Sequence, residues 1–219
     1  MSEGPELRRE SAAERDADLS GRRAAGGVMT DAECLARLAA GELEVLAELL
    51  ARYQDRLVNL IYRLVRDWDT ALDLGQEVFV RIHERAATFR PDGRAEAWIF
   101  TVAVNLARDH LRRQQRIVAL GRRGAVAAEA RRAPRSPSDA LEQEELRAQV
   151  WRVLGEIPEG PRTLLLLRDF EEFAYEDLAV VLDCDLGTVK SRLHRARRVF
   201  EEHFNALFGR GTDGRDGRA

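Results

Sequence analysis

The chain has 219 residues and a formal net charge of −3, with 33 % charged and 45 % hydrophobic residues. This length allows one large or two small domains, and no stretch approaches the roughly eighteen consecutive apolar residues of a membrane span, so membrane insertion is not expected. The N-terminus lacks the apolar core of a secretory signal, which predicts a cytoplasmic protein.

The first predicted element is a disordered tail, residues 1–29, which mixes charged residues, glycine and alanine without periodicity. A helical pattern begins near Ala32, where Thr30 or Asp31 is placed to cap the first helix. The pattern continues to Arg113 with breaks at Gly41 and at 89–94. Residues 30–113 are therefore predicted to form an N-terminal helical bundle.

Within this bundle, segment 69–82 has an apolar face and a polar face. Leucine, valine and isoleucine at positions 74, 78 and 82 recur at four-residue spacing, which predicts a core-facing side. Asp73, Gln76 and Glu77 form a polar, mostly acidic stripe on another face, and a solvated surface is the ordinary explanation of such a stripe. Gly75 costs about 1 kcal/mol relative to alanine in a helix, so we expect it to permit close packing or to be merely tolerated.

Segment 95–113 is predicted to be a helix that carries a cationic stripe. Arg108, Arg112 and Arg116 follow each other at four-residue spacing. Asn105 is a mediocre helix former in mid-helix, so its amide is expected to have a specific partner.

Three aromatic residues surround the Pro-Asp-Gly loop that precedes this helix: Phe89, Trp98 and Phe100. Aromatic rings beside a basic face stack unpaired bases. Core packing is the alternative for each ring, above all for Phe100. The combination of rings and cations favours nucleic-acid contact.

A basic break, residues 114–138, separates the two helical blocks. From 112 to 135 the chain has eight arginines against the single carboxylate of Glu129, together with Pro134. Such composition predicts a flexible linker with electrostatic reach.

The last helical block, residues 139–208, contains two short helices joined by a turn at 183–185. Pro161 suits the first turn of an earlier helix in this block. In the second helix of the pair, Val189, Leu193 and Ala196 share one face, and residues 190–198 carry five cations and no carboxylate. A helix of this kind suits a DNA major groove, although a solvated basic helix remains the alternative. Residues 209–219 are expected to be a disordered tail.

The order of these motifs resembles that of extracytoplasmic-function (ECF) sigma factors of the sigma-70-type family. Segment 73–79 (Asp-Leu-Gly-Gln-Glu-Val-Phe) is similar to the family's core-polymerase-binding helix, 98–105 (Trp-Ile-Phe-Thr-Val-Ala-Val-Asn) to its promoter-melting helix, and 187–197 to its minus-thirty-five reader. The resemblance implies an all-α chain with a region 2-like domain at 30–113 and a region 4-like helix-turn-helix domain at 139–208, joined by the linker.

The resemblance also implies partners and site residues. Asp73, Gln76 and Glu77 would contact the clamp helices of the largest subunit of core RNA polymerase. The residues that would contact the minus-ten element of promoter DNA are Phe89, Arg94, Trp98, Asn105, Arg108 and Arg112. Those that would contact the minus-thirty-five element are Lys190, Ser191, Arg192, His194, Arg195 and Arg197. An anti-sigma factor is left open as a further partner.

Five positions depart from the family pattern, one of them Gly75, which is uncommon within the core-binding helix. Asp183 replaces the usual glycine of the turn but tolerates left-handed geometry, and Asp185 replaces a serine but can still cap the recognition helix. Leu72 stands where many relatives have an acidic residue. Ala174 replaces a capping hydroxyl residue, so fraying is expected there.

Other sites and functions are weakly indicated. The four histidines show no ligand spacing with Cys34 or Cys184, so no metal or cofactor is expected and the cysteines are predicted to be reduced structural thiols. No catalytic motif is present, so the polymerase would supply the chemistry. The alternatives are a stand-alone helix-turn-helix regulator and a helical interaction protein.

Overall fold

The computed structural model describes residues 29–90, 93–119 and 141–209, the last range with side chains from residue 145. These residues form helices and short turns and contain no strand, which confirms the all-α prediction. The α-helices are α1 (Asp31–Ala39), α2 (Leu46–Val65), α3 (Trp68–Arg85), α4 (Ala95–Ala119), α5 (Leu141–Glu156), α6 (Glu159–Leu165), α7 (Tyr175–Val181) and α8 (Leu186–Phe208).

Helices α1 to α4 form the N-terminal bundle. Its first helix starts where the sequence predicts, because Thr30 and Glu33 form a reciprocal capping box. The Thr30 side chain accepts a hydrogen bond from the Glu33 amide at 3.2 Å, and the Glu33 carboxylate accepts one from the Thr30 amide at 2.7 Å. Fully buried leucine and isoleucine side chains of α2, such as Leu57 and Ile61, fill the centre of the bundle.

Helices α2 and α3 make a close approach at Gly75. A Cβ atom at this position would lie 2.6 Å from Cγ2 of Val58, so only glycine fits without displacing Val58. Val78 and Ile82, on the same helix, are fully buried, while Leu74 packs at the edge of the core. The predicted core face of this segment and the close packing at Gly75 are both confirmed.

Helix α4 extends through Ala119 and thus continues into the segment 114–138 that the sequence assigns to the linker. The rest of that segment lies outside the described residues. The two predicted disordered tails also fall outside them, apart from Met29 and Gly209 at their inner ends.

Helices α5 to α8 form the C-terminal domain. Pro161 lies in the first turn of α6, as predicted, and a π-helical turn (Leu166–Phe170) follows that helix. Ala174, before α7, makes no side-chain hydrogen bond, but the Asp177 carboxylate accepts one from the Ala174 amide at 3.2 Å.

The turn between α7 and α8 has the predicted chemistry. Asp183 adopts the left-handed conformation, with φ of 48°. Asp185 caps α8, because its carboxylate accepts a hydrogen bond from the Thr188 amide at 2.8 Å. These two aspartates therefore replace glycine and serine without loss of the helix-turn-helix geometry.

The two helical units pack against each other, and their buried residues form one continuous apolar cluster. Phe100 of α4 meets Phe173 of the C-terminal domain edge to face, with ring centroids 4.8 Å apart. The structure therefore brings the surfaces predicted to contact DNA into one neighbourhood.

Candidate nucleic-acid interface

Helix α8 presents the first candidate surface. Val189, Leu193 and Ala196 are at most 2 % exposed, so this side of the helix packs on the domain. The opposite side points to solvent, and there Lys190, Arg192, Ser191, His194 and Arg195 are exposed. The buried and exposed faces predicted for this helix are confirmed. The exposed face of residues 190–198 is cationic and contains no carboxylate.

Hydrogen bonds within the domain orient part of this surface. Ser191 Oγ donates to the Thr188 carbonyl at 3.0 Å, and Arg195 Nε donates to the Ser191 carbonyl at 3.2 Å. Arg197 instead pairs with Asp169 at 3.3 Å, a contact that sequence reasoning missed. Arg197 thus differs from Arg195, whose charge has no carboxylate partner among the described residues.

The start of α8 is stabilised by Asp185. The Thr188 hydroxyl donates to one Asp185 carboxylate oxygen at 2.7 Å, and the Thr188 amide donates to the other. These hydrogen bonds lower the pKa of Asp185 below its ordinary value, with the hydroxyl contributing most. The ionised carboxylate also complements the positive end of the helix dipole.

The second candidate surface lies around the start of α4, where two of the three predicted aromatics meet. Phe89 and Trp98 pack edge to face with centroids 5.8 Å apart, and both are partly exposed. Phe100 is fully buried between Tyr53 and Phe173, so core packing explains that ring. Pro91 and Asp92 of the intervening loop lie outside the described residues.

Asn105 lies exposed in a groove of about 230 Å³ between α3 and α4. No hydrogen bond reaches its side chain from the described residues, so the partner expected for its amide is not found in this part of the chain. The groove is also lined by three cations and two carboxylates: Arg81, Arg85, Arg113, Glu77 and Asp109. Sequence reasoning missed these cations, although the four-residue spacing of Arg81 and Arg85 was a signal that they share a face.

The remaining predicted minus-ten residues are largely engaged with the C-terminal domain. Arg94 Nη1 lies 2.7 Å from Oδ1 of Asp177, and Arg108 Nε lies 2.8 Å from Oε1 of Glu159. Arg112 is exposed and lies 4.0 Å from Asp109. Arg108 also lines a cavity of about 410 Å³ together with Arg192 and Arg195 of α8.

Helix α3 carries the third predicted surface. Asp73 and Gln76 are exposed, whereas Glu77 is half-buried and pairs with Arg81 at 2.8 Å. Leu72 and Val80 flank Gln76 at four-residue spacing and are 38 % and 49 % exposed. These two side chains place exposed apolar area beside the polar stripe on the same face of α3. In the sequence Leu72 is visible only as a departure from the family pattern, and the apolar part of this face became apparent from the structure.

The described parts of the chain contain no cluster of three or more metal-ligating side chains. Both cysteines are free thiols there, Cys34 buried and Cys184 half-buried, as predicted. No helix in the described ranges is long and apolar enough to cross a membrane.

Comparisons with known proteins identify both domains. The family model of sigma-70 region 2 matches residues 49–117, and that of sigma-70 region 4 matches residues 147–199. The RNA polymerase sigma-H factor of Pseudomonas aeruginosa is 36 % identical over 168 residues, which cover 71 % of this chain and 84 % of that protein. The ECF RNA polymerase sigma-E factor of Escherichia coli K12 is 33 % identical over 171 residues, or 73 % of this chain and 86 % of that protein.

Two solved structures share the fold. The sigma factor RpoE of Bartonella quintana, solved with the anti-sigma factor NepR, has a TM-score of 0.60 at 24 % identity and covers 75 % of this chain and 98 % of its own. CnrH, solved with the cytosolic domain of CnrY, has a TM-score of 0.58 at 23 % identity and covers 80 % of this chain and 97 % of its own. The sequence matches, together with this fold, show that the chain belongs to the ECF group of the sigma-70 family and is an alternative sigma factor for transcription initiation, not an enzyme.

Proposed function

We propose that three separate surfaces divide the work of this sigma factor. Helix α3 binds the clamp helices of core RNA polymerase, α4 and the loop before it hold the melted minus-ten element, and α8 reads the minus-thirty-five element. The proposal assigns the first two tasks to a region 2 domain at 30–113 and the third to a region 4 domain at 139–208.

The exposed, acid-free face of α8 is the observation that carries this proposal. Its first half combines exposed cations with Ser191 and His194, while its apolar face is buried. Arginine side chains make bidentate contacts with guanine, and lysine neutralises phosphate. Because Arg195 lies nearer the N-terminal end than Arg197, Arg195 is assigned to a base and Arg197 to the backbone.

The minus-ten assignment depends on the surface around Asn105. An exposed amide in a polar groove that contains three arginines suits a base that has left the stack, because extrusion exposes the polar edge of the base. The Phe89–Trp98 pair offers ring surface beside it, and aromatic rings stack single-stranded bases without strong sequence preference.

The polymerase assignment depends on the mixed face of α3. Asp73, Gln76 and Glu77 supply polar and acidic contacts, while Leu72 and Val80 supply apolar area that is exposed in this structure. Because the polymerase is the partner, we place the protein in the cytoplasm. An anti-sigma factor is a further proposed partner, by extension from RpoE, which was solved with NepR.

In vitro transcription with core polymerase on a promoter library tests the whole proposal. The expected result is a set of transcribed promoters that share two sequence boxes at a fixed spacing. No transcription is expected when either this protein or core polymerase is omitted. A stand-alone regulator would instead bind palindromic duplex DNA without polymerase. Such binding, together with failure to associate with core polymerase, would overturn the assignment of all three surfaces.

A further inference from the structure

A cavity of about 410 Å³ lies where α6, α8 and the turn after α7 meet. Every residue that lines it belongs to the C-terminal domain, except Arg108 of α4. Small-molecule sites in proteins have volumes of about 300–1,000 Å³. The size of this cavity is therefore that of a site for a small organic ligand.

Apolar side chains form most of the cavity wall. Pro161 and Leu164 contribute from α6, Ala196 and Val199 from α8, and Leu182 from the end of α7. Leu164 and Ala196 are only 3 % and 1 % exposed, so the wall is continuous with the core of the domain. A ligand with an apolar body gains binding free energy here by removing that body from water.

Three guanidinium groups complete the lining, those of Arg108, Arg192 and Arg195. Arg108 Nε donates to the Glu159 carboxylate at 2.8 Å, whereas Arg192 and Arg195 have no carboxylate partner among the described residues. None of the described residues that line the cavity is acidic. Since arginine forms strong, charge-assisted hydrogen bonds with carboxylates, an anionic group of a ligand has partners at this end of the cavity.

Two other cavities of the described residues lack this combination of an apolar wall and unpaired cations. The groove around Asn105 contains carboxylates besides its arginines. A cavity of about 300 Å³ beside Phe170 contains one arginine, Arg197, which pairs with Asp169. In both, a carboxylate of the protein already lies next to the cations.

We propose that the cavity between α6 and α8 binds a small amphipathic anion, an aliphatic carboxylate. Its carboxylate contacts Arg192 and Arg195, and its chain lies against Leu164, Ala196 and Val199. The site itself is independent of the proposed function, but its consequence rests on that function. Because Arg192 and Arg195 belong to the face proposed to read the minus-thirty-five element, the bound anion competes with promoter DNA for them.

Gly160 allows the cavity to be filled without a clash. It lines the cavity, and a Cβ atom at this position would have nothing within 4 Å. Leucine is also a better helix former than glycine. Gly160→Leu should therefore occupy the cavity and keep the fold, which circular dichroism checks. Ala206→Leu is the matched control, because it introduces leucine at an exposed position of α8 outside the cavity.

Isothermal titration calorimetry of the full-length chain tests the site with octanoate as the probe. Acetate lacks the chain and 1-octanol lacks the charge, so each should bind at least about tenfold more weakly than octanoate. No binding of octanoate to the wild type would overturn the site. Binding of 1-octanol as tight as that of octanoate would overturn the anionic class of the ligand.

The variants locate the bound octanoate. Gly160→Leu and Arg192→Gln should each weaken octanoate binding at least about fivefold, because one fills the cavity and the other removes a charged donor. Ala206→Leu should bind octanoate like the wild type, and so should Arg198→Gln, which removes an exposed cation of α8 outside the cavity. Wild-type affinity in Gly160→Leu would overturn the assignment to this cavity.

The consequence for DNA is tested with holoenzyme on a promoter identified in the library. Octanoate should weaken promoter binding by the wild-type holoenzyme, and acetate at the same concentration is the control for ionic strength. Gly160→Leu holoenzyme should bind the promoter like the wild type without octanoate and should resist its effect. Octanoate that binds the protein but leaves promoter affinity unchanged would overturn the competition.

Failure of the proposed function would look different. A wild-type holoenzyme that selects no promoter even without octanoate would contradict the proposed function. Calorimetry needs neither DNA nor polymerase, so its result for the cavity would stand in that case.

Discussion

The cations at the start of α8 and those around α4 differ in what surrounds them. Lys190, Arg192 and Arg195 form no ion pair with any described residue, whereas Arg94 and Arg108 are paired with carboxylates of the other domain. Each group lies on or directly before a helix with one buried and one charged face. The amphipathic pattern of a helix thus predicts which face points away from the core. The neighbouring domain determines whether that face is accessible.

The face of α3 that is proposed to bind polymerase resembles α8 in this respect. Asp73 and Gln76 are exposed although the domains are packed together. This face of α3 is therefore accessible while Arg94 and Arg108 are paired with the other domain.

The largest effect is expected on the exposed face of α3, and it tests whether this face binds core polymerase. Replacing Asp73, Gln76 and Glu77 with lysine should abolish binding to core polymerase, because the charge of the face is reversed. Helical content should be retained, since the core positions Val78 and Ile82 are untouched. Affinity for core polymerase is measured by surface plasmon resonance, and helix content by circular dichroism.

A matched control for this triple variant lies on α8. Lysine at Glu201, Glu202 and Asn205 makes the same change in formal charge at exposed positions. It should leave polymerase affinity close to that of the wild type. Equal loss of affinity in both variants would mean that net charge, and not the α3 face, governs the interaction.

The next largest effect is expected at α8, where Arg195 is exposed and has no carboxylate partner among the described residues. Arg195→Ala should cost about 1–3 kcal/mol and relax preference at one base pair of the upstream element, as for a base-edge contact. Arg197→Ala should weaken binding to all promoters and reduce the salt dependence by about one unit. A promoter-library profile of each variant at two salt concentrations separates the two roles. Uniform weakening by Arg195→Ala would contradict the base contact.

A smaller effect is expected at Asn105, which is exposed in the groove between α3 and α4. Asn105→Ala removes one neutral hydrogen bond, worth about 1 kcal/mol, to a base that is available only after strand separation. It should therefore impair open-complex formation more than closed-complex binding. Permanganate footprinting detects the open strand, and the exposed amide of Gln115 on the same helix provides the control Gln115→Ala. Footprints equal to those of the wild type would exclude this role.

The smallest effect is expected at Asp185, which caps α8 and so stabilises the first turn of the helix. Because hydrogen bonds from Thr188 lower the pKa of Asp185 below 3.8, its stabilising contribution is present above the pKa of the unfolded chain. That contribution is lost as the pH falls through the lower pKa of the folded state. Asp185→Ala should reduce Tm at neutral pH, and Asp185→Asn should reduce it less, since asparagine also caps helices.

Thermal melts across the acidic range check this prediction. The difference in Tm between the wild type and Asp185→Asn should shrink as Asp185 becomes protonated, because asparagine does not titrate in this range. A difference that stays constant with pH would show that the ionised carboxylate adds nothing to the cap.

Several local features were predictable because they depend on neighbours in the chain. Thr30 and Asp185 were placed as caps by residue type and by the helical pattern that follows each. Asp183 was predicted to tolerate the left-handed turn, and its φ of 48° confirms this. The cost of glycine within a helix was enough to suggest a close approach at Gly75. That its neighbour is Val58 became known only from the structure.

The sequence by itself determined the helical fold, the buried faces and the helix-turn-helix, because hydrophobic periodicity and capping act within a few residues. Only the tertiary structure decided which charged side chains are accessible. Arg94 and Asp177 are 83 positions apart, and Arg108 and Glu159 are 51 apart. In a chain with 33 % charged residues, an ion pair between residues this far apart leaves no periodic trace in the sequence. The packing of the two domains therefore decides which charged residues pair.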